Sequence, residues 1–575
     1  MERGRRRGEA GARLPAVTTP VTVSTSAQSD ADARFDRTIE RWMRDLLAIS
    51  PEIATFIGIH EHDADLSRTD REAIETQTNF WRQTLAETER FASHELSGER
   101  ALDRDLLAHQ GRLELHRLTE HRLWERSADP AEHLGEALFP LFTRDFAPLA
   151  ERLESIAGRL EQAPRYIAES RTRVTRPVRL WAEIDAESCE SLPSFLDTII
   201  SAARSELGDG PIARRLTAAS DGAKAALAEH VAWLRDEAIP RASADWAAGS
   251  ELFDELVRLR ELDADADEIL AIGEEILAQE RGARDTVCAE IDPTLSPGEV
   301  GDLVKNHHPA SFPEALGEYR GSMDRARRFI VEHDLASFPE RDKLLVIETP
   351  SYIRHLIPFA AYYEPARFDR DPVGIYVVTP PAAPEMMREH NYASISNAGV
   401  HEAYPGHHLQ LSAGLTNPSI VRLFLGAPEF VEGWAFYSER MMKEAGFDDS
   451  PEHWYVVHTD AIWRAVRILL DVRLHRGEIG FDEAVEFLIA QTGFERPAAV
   501  AEVKRYTSSP TYQLSYLYGR HMIDALRRDV ERRMGPAFSL RYFHDTLLYG
   551  GTMPVHYARR LFEARLRPDG DGRTP

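Results

Sequence analysis

One proline decides how the middle of this chain can fold. Residues 400–410 read Val-His-Glu-Ala-Tyr-Pro-Gly-His-His-Leu-Gln, so Pro405 stands four residues after His401. A proline inside a helix removes the hydrogen bond to the i−4 carbonyl, which here belongs to His401. Gly406 follows and accepts whatever dihedrals the break requires. On a straight helix His407 would fall roughly on the face opposite His401. His408 would fall on the right face but about 10 Å further along. Tyr404-Pro405-Gly406 therefore reads as a bulge that returns one of these two histidines to the side of His401. His407 needs the smaller loop-out, and the spacing leaves both open.

The residue types around that bulge are those of a metal hydrolase. Zinc enzymes of the H-E-x-x-H type need two imidazoles on one metal and a carboxylate that activates the metal's water. His401 with His407 or His408 supplies the imidazoles, and Glu402 supplies the carboxylate. The bland reading is a helix-to-loop boundary carrying surface histidines. Three His and one Glu between 401 and 408 weigh against it. A catalytic site also needs a third protein ligand. Downstream, Pro428 suits a first helical turn and Gly446 a helix end. Between them Glu432, Ala435, Phe436 and Glu439 share one helical face, among the apolar residues Phe430, Val431 and Trp434. Glu439, two turns after Glu432, reads as a carboxylate that supports a ligand.

Composition bounds the function. The chain has 575 residues, 43% hydrophobic and 29% charged, with a formal net charge of −26. That balance argues against a nucleic-acid or anionic-membrane surface. Cys189 and Cys288 are the only cysteines, too few for a disulfide framework or a cysteine metal site. Two reduced thiols in a cytoplasmic protein are the expectation. The basic start Met1–Arg7 precedes no apolar run of signal-peptide length, and no segment approaches a membrane span. Oligomeric state leaves no mark in the sequence.

Along the chain, residues 1–28 read as a disordered tail. A helical lobe over 29–290 and a metal-binding catalytic lobe over 291–570 follow. Amphipathic helices are expected over 71–91, 99–123, 148–160, 164–186, 191–205 and 222–239, with Pro164 and Pro193 among the punctuating residues. His60-Glu61-His62-Asp63 reads as a polar turn, and His307-His308 as a loop. Asp263, Asp265 and Asp267 read as helix N-terminal charge rather than a calcium loop. Short β-branched runs at 344–347 and 374–379 predict a small sheet just before the metal helix. We expect Gly374–Thr379, including Tyr376, to be an edge strand that binds an extended peptide. Farther on, Asp460, Arg464, Arg467, Asp471 and His475 form a polar stripe at helical steps. Arg464 and Arg467 are candidates for clamping a substrate carboxylate, against a structural reading in which i,i+4 ion pairs satisfy the stripe. After Pro510, Tyr512, Tyr516 and Arg520 fall along one face, with Tyr512 a candidate substrate contact.

His-Glu-x-x-Pro-Gly-His-His followed by Glu-Gly-Trp-Ala-x-Tyr-x-Glu resembles the bacterial domain-of-unknown-function 885 family. The resemblance runs from about residue 31 to 565 and is strongest between 360 and 550. Its members are regarded as zinc peptidases similar to the helical thimet-oligopeptidase and carboxypeptidase Taq group. The resemblance implies a mainly helical, two-lobed body with a deep cleft and a small sheet near the metal helix. It implies one zinc ion held by His401, His407 or His408, and Glu432, the last being the usual gluzincin third ligand. It places a phenol, Tyr516, as oxyanion donor, although the chain reads Pro-Thr-Tyr-Gln where the family pattern has Pro-Gly-Gln. Glu402 would act as general base on short peptides. The competing expectations are a metal amidase or esterase acting on a non-peptide, and a non-catalytic metal- or peptide-binding protein.

Overall fold

The computed structural model describes residues 26–350, 354, 357 and 359–566. Residues 26–28 already belong to the first helix, Ser26–Ile49. The rest of the expected tail lies outside the described residues. Among those described, the chain forms 22 α-helices and one three-stranded sheet, the mainly helical fold that the periodicity predicts. No described helix is long and apolar enough to cross a membrane.

Helix ends follow local chemistry where local chemistry is strong. Asp265 accepts a hydrogen bond from the Glu268 amide at 2.9 Å, and Glu268 reaches back to the Asp265 amide at 3.0 Å. This capping box starts the helix Ala266–Ile291 and explains the acidic run. Two proline breaks do not occur. Pro164 lies inside Leu149–Arg173, and Pro193 inside Arg179–Leu207. A proline costs a helix one hydrogen bond and a steric clash, and here burial of both long helices against their neighbours outweighs that local cost. The turn at His60–His62 carries no metal-like set. His60 bridges Asp63 at 2.9 Å and Asp369 at 3.0 Å and stacks on Phe146.

The core does not divide at residue 290. One apolar cluster runs from Ala31 and Phe35 through Ile269 and Val466 to Phe562, and the helix Ala266–Ile291 packs along Pro451–His475. A second cluster, with Leu134, Ile156, Phe195 and Leu216, fills the helices between 130 and 233. The sheet sits between the two. Its strands are β1 (Leu344–Glu348), β2 (Ala360–Tyr363) and β3 (Gly374–Val378), in the order β1-β3-β2. Tyr376, Val378, Val346 and Tyr362 face the first cluster, while Ile347, Ala361, Ile375 and Val377 face the second, the two-residue alternation of a strand.

The expected edge strand is thereby corrected. β3 is the central strand, parallel to β1 and antiparallel to β2. Both of its edges are occupied, so it cannot accept another strand. Tyr376 is fully buried. The edges are β1 and β2, the second missed because its Ala-Ala-Tyr-Tyr sequence has no β-branched residue.

Candidate metal centre

The first helix of the candidate site, Tyr392–Glu402, begins with Asn391, whose side chain accepts from the Ser394 amide at 2.9 Å. It stops at Ala403, where proline prevents its continuation. The chain turns through a cis Tyr404–Pro405 bond and folds back on itself. The Gly406 amide donates to the Val400 carbonyl at 3.0 Å, and the Leu409 amide to the Ala403 carbonyl at 3.2 Å. A Cβ on Gly406 would lie 1.8 Å from the His401 carbonyl oxygen, so only glycine fits this return. A second helix, His407–Gly414, then starts with a histidine. The turn is tied to the helix Pro428–Glu444 by Trp434, whose indole N–H donates to the Pro405 carbonyl at 2.8 Å. That helix is fixed in turn by close backbone contact with Leu517–Met534, because Gly433 and Gly519 leave no room for a Cβ on either side.

These constraints bring His401, His407 and Glu432 together. Each offers one ligand atom, all within 4.8 Å of one another. His401 Nε2 lies 3.9 Å from Glu432 Oε2, and His407 Nε2 lies 3.5 Å from it. The two imidazole planes are perpendicular, with centroids 4.8 Å apart. Glu439 holds the far side of His401, with Oε1 at 2.6 Å from Nδ1. Asn397 Nδ2 donates to the other Glu439 oxygen at 2.8 Å and to Asp460 at 3.0 Å. A carboxylate on Nδ1 fixes the ring so that Nε2 faces the remaining ligands.

The electrostatics favour a positive charge between these groups. Burial pulls the His401 imidazole down, but the bond to Glu439 and the charges of Glu402 and Glu432 outweigh it and hold the group up at about 9. Burial pushes the Glu432 carboxyl up, and His407 and His401 outweigh that, bringing it down to about 2. His407 Nδ1 is buried without a hydrogen-bond partner among the described residues. Two imidazoles and one carboxylate oxygen facing one another are a donor set suited to zinc.

The chain matches the model of a bacterial protein family of unknown function, DUF885, over residues 51–561. It belongs to this family. Two solved structures have the same fold over their whole length. One, described as "a putative lipoprotein of unknown function from Shewanella oneidensis", has a TM-score of 0.77 at 22% identity, covering 92% of this chain and 99% of that one. The other, "the putative lipoprotein from Colwellia psychrerythraea", has a TM-score of 0.81 at 17% identity, covering 93% and 99%. No curated protein matches the chain.

The other candidate residues of this DUF885 chain divide clearly. His408 is not brought to the cluster. It is fully buried, with Nε2 at 2.9 Å from Asp342 and Nδ1 at 2.9 Å from the Tyr362 hydroxyl. It ties the helix His407–Gly414 to the sheet rather than pointing at the cluster, because β2 and the residues before β1 occupy both ring nitrogens. Glu402 is half-buried, and its carboxylate takes no hydrogen bond from any described residue. Its charge reaches Tyr319, Tyr362 and Tyr376. Tyr512 donates its hydroxyl to Glu432 Oε1 at 3.3 Å. Tyr516 packs beside it, ring centroids 6.2 Å apart, under the Arg467 guanidinium at 4.6 Å. Burial first, then the Glu432 charge, raises the Tyr516 phenol, which therefore stays protonated.

Of the two candidate clamps, Arg467 is corrected. It is buried at 3% exposure, bonded to the Tyr506 hydroxyl and Glu502 at 3.0 Å each, and covered by Trp463. Its partner comes from the helix Arg496–Thr507, not from Asp471 at i+4. Arg464 does pair at i,i+4, with Asp460 at 3.1 Å, and lies over Trp463. Sequence reasoning missed Asp342, Tyr362 and Asn397. Only Asn397 left a signal, one helical turn before His401 on the same face.

A second set of metal-capable side chains, Asp185, Cys189 and His230, also lies within 4.8 Å and is wholly buried in the helices of the second core. Cys189 and Cys288 are both free thiols, as expected.

Proposed function

We propose that this chain is a zinc-dependent hydrolase that cleaves peptide bonds in short peptides. The observation that carries the reading is the convergence of His401, His407 and Glu432 on one point beside Glu402, a carboxylate with no partner among the described residues. A zinc ion held there supplies Lewis acidity and lowers the pKa of water toward about 7. Glu402 takes the proton of the attacking water and later delivers it to the leaving amine. A protonated phenol, Tyr516, donates to the oxygen on which negative charge develops. Glu439 and Asn397 hold His401 in one orientation. Tyr512 holds Glu432 through its distal oxygen. The edge strand β2 reaches the metal helices through Tyr362 and His408, which makes it the element along which an extended peptide would lie.

Glu402→Gln tests the reading. It keeps the size of the side chain and removes the base. Turnover of a responsive peptide should fall by about 10²- to 10⁴-fold, while zinc content matches the wild type. Retained turnover would contradict the assignment of Glu402. A panel that adds small amides and esters separates the peptidase from an amidase or esterase.

A further inference from the structure

The pocket next to Tyr512 is the second feature of this site with a shape that can be read. A cavity of about 210 Å³ lies between the helices Gly98–His116 and Ser250–Leu259, the start of Pro428–Glu444 and the segment before Tyr512. Tyr512 belongs to both places. Its ring lines the cavity, and its hydroxyl lies 3.3 Å from Glu432 Oε1. Tyr512 therefore links the cavity to the ligand cluster.

The walls state what kind of group fits. Leu113, Leu256, Pro428 and Pro510 line the cavity with Tyr512 and are apolar. The charged groups in the wall are already answered. Arg260 Nη2 bonds Glu429 at 2.7 Å and Ser515 Oγ at 3.1 Å, and its Nη1 bonds the Thr511 carbonyl. His109 is buried against the Tyr557 ring and lies 3.8 Å from Glu261. A charged occupant would lose hydration and find no free counter-charge, whereas an apolar one leaves water at no such cost. Size agrees, because an apolar cavity of about 150 Å³ already holds a benzene ring.

We infer that this pocket receives a leucine- or phenylalanine-sized apolar side chain of the peptide substrate, next to the bond being cleaved. The inference rests on the hydrolase reading above. It predicts specificity as well as chemistry: one position beside the scissile bond should favour Leu or Phe over Ala by about 10- to 100-fold in kcat/KM, the scale on which hydrophobic pockets discriminate.

Gly426 offers a place to add bulk at the pocket wall without disturbing the fold. It lines the cavity, its φ is not in the left-handed region, and an added Cβ would meet nothing within 4 Å. The test uses the zinc-loaded full chain with fluorogenic short peptides carrying Ala, Leu, Phe, Asp or Lys at each position flanking the cleaved bond. In the wild type we expect Leu and Phe to lead at one position and Asp and Lys to trail. In Gly426→Leu, and separately in Leu256→Trp, the Leu-to-Ala ratio should fall toward unity. The ratio is taken within each protein, so a general loss of activity does not mimic the result. A wild type without apolar preference at any position, or a ratio unchanged in both variants, overturns the pocket while leaving the hydrolase reading intact. If no peptide is cleaved, equilibrium binding of the Leu and Ala peptides decides. Tighter binding of the Leu peptide, lost in Gly426→Leu, sustains the pocket while the hydrolase reading falls. Equal binding overturns both.

Discussion

Two regions of this molecule gather three metal-capable side chains within 4.8 Å, and they use them in opposite ways. In the helical second core, Arg171 Nε donates to His230 Nδ1 at 3.1 Å. A guanidinium can only donate, so the ring proton sits on Nε2, which gives it to Asp185 Oδ2 at 2.9 Å. Cys189 donates its thiol to the other Asp185 oxygen at 3.3 Å, and burial pushes that thiol well up. Asp185 also accepts the Asp129 amide at 3.2 Å. Each ligand atom is engaged by protein, and the cluster is a packed hydrogen-bond relay. Around His401 the surrounding carboxylate and phenol engage only the outer atoms. Glu439 takes His401 Nδ1, Tyr512 takes the distal Glu432 oxygen, and the inner atoms face one another at 3.5 and 3.9 Å. Three ligand-type residues at short distance are not enough for a metal centre, which also needs inner ligand atoms left free of outside partners.

The comparison can be broken by asking each surrounding residue what it does to metal affinity and what it does to stability. Glu439→Ala removes the carboxylate that orients His401, and zinc affinity should fall by about 10- to 100-fold, read by competition with a chelator. His230→Ala should leave zinc content unchanged and cost about 1–3 kcal/mol in urea unfolding, because Asp185 is left buried with a missing donor. A loss of zinc on that substitution would show that the relay is a second site. A pH effect concerns histidines outside both clusters. Burial first, against a backbone bond to Leu335 and with the Arg527 charge adding to it, holds His544 down at about 4. Burial does the same for His475, also at about 4. Their unfolded values lie near 6.5, so the unfolded chain takes up protons first as pH falls. Their contribution to stability should be complete above about pH 6.5 and decline toward pH 4, by up to about 1.4 kcal/mol per pH unit for each histidine. The contribution is read by comparison: in His544→Gln the denaturant midpoint should fall less between pH 7 and 5 than in the wild type, and an equal fall in both would contradict this.

The parts of this architecture that sequence carried are those set by local chemistry. Pro405-Gly406 announced the fold-back because proline's missing N–H and glycine's missing Cβ act within one turn. Glu439 lay at the right helical spacing to support a ligand. The choice between His407 and His408 could not be read locally, because the groups that hold His408 away are Asp342 and Tyr362, far back in the chain. Arg467 likewise bonds Glu502 instead of its i+4 neighbour. Pro164 and Pro193 were legible as breaks but yielded to the packing of two long helices. Strand order is a relation between segments, so Gly374–Val378 carried no mark of being central.

The central claim is tested most directly by elemental analysis of the wild type, His407→Ala and His408→Ala, purified in parallel without chelator. The account predicts about one zinc per chain in the wild type and in His408→Ala, with His408→Ala less stable because Asp342 loses a partner, and no bound zinc in His407→Ala. Zinc retained by His407→Ala and lost from His408→Ala would contradict the ligand set, and a wild type that binds no zinc even after the metal is added back would contradict the metal centre itself.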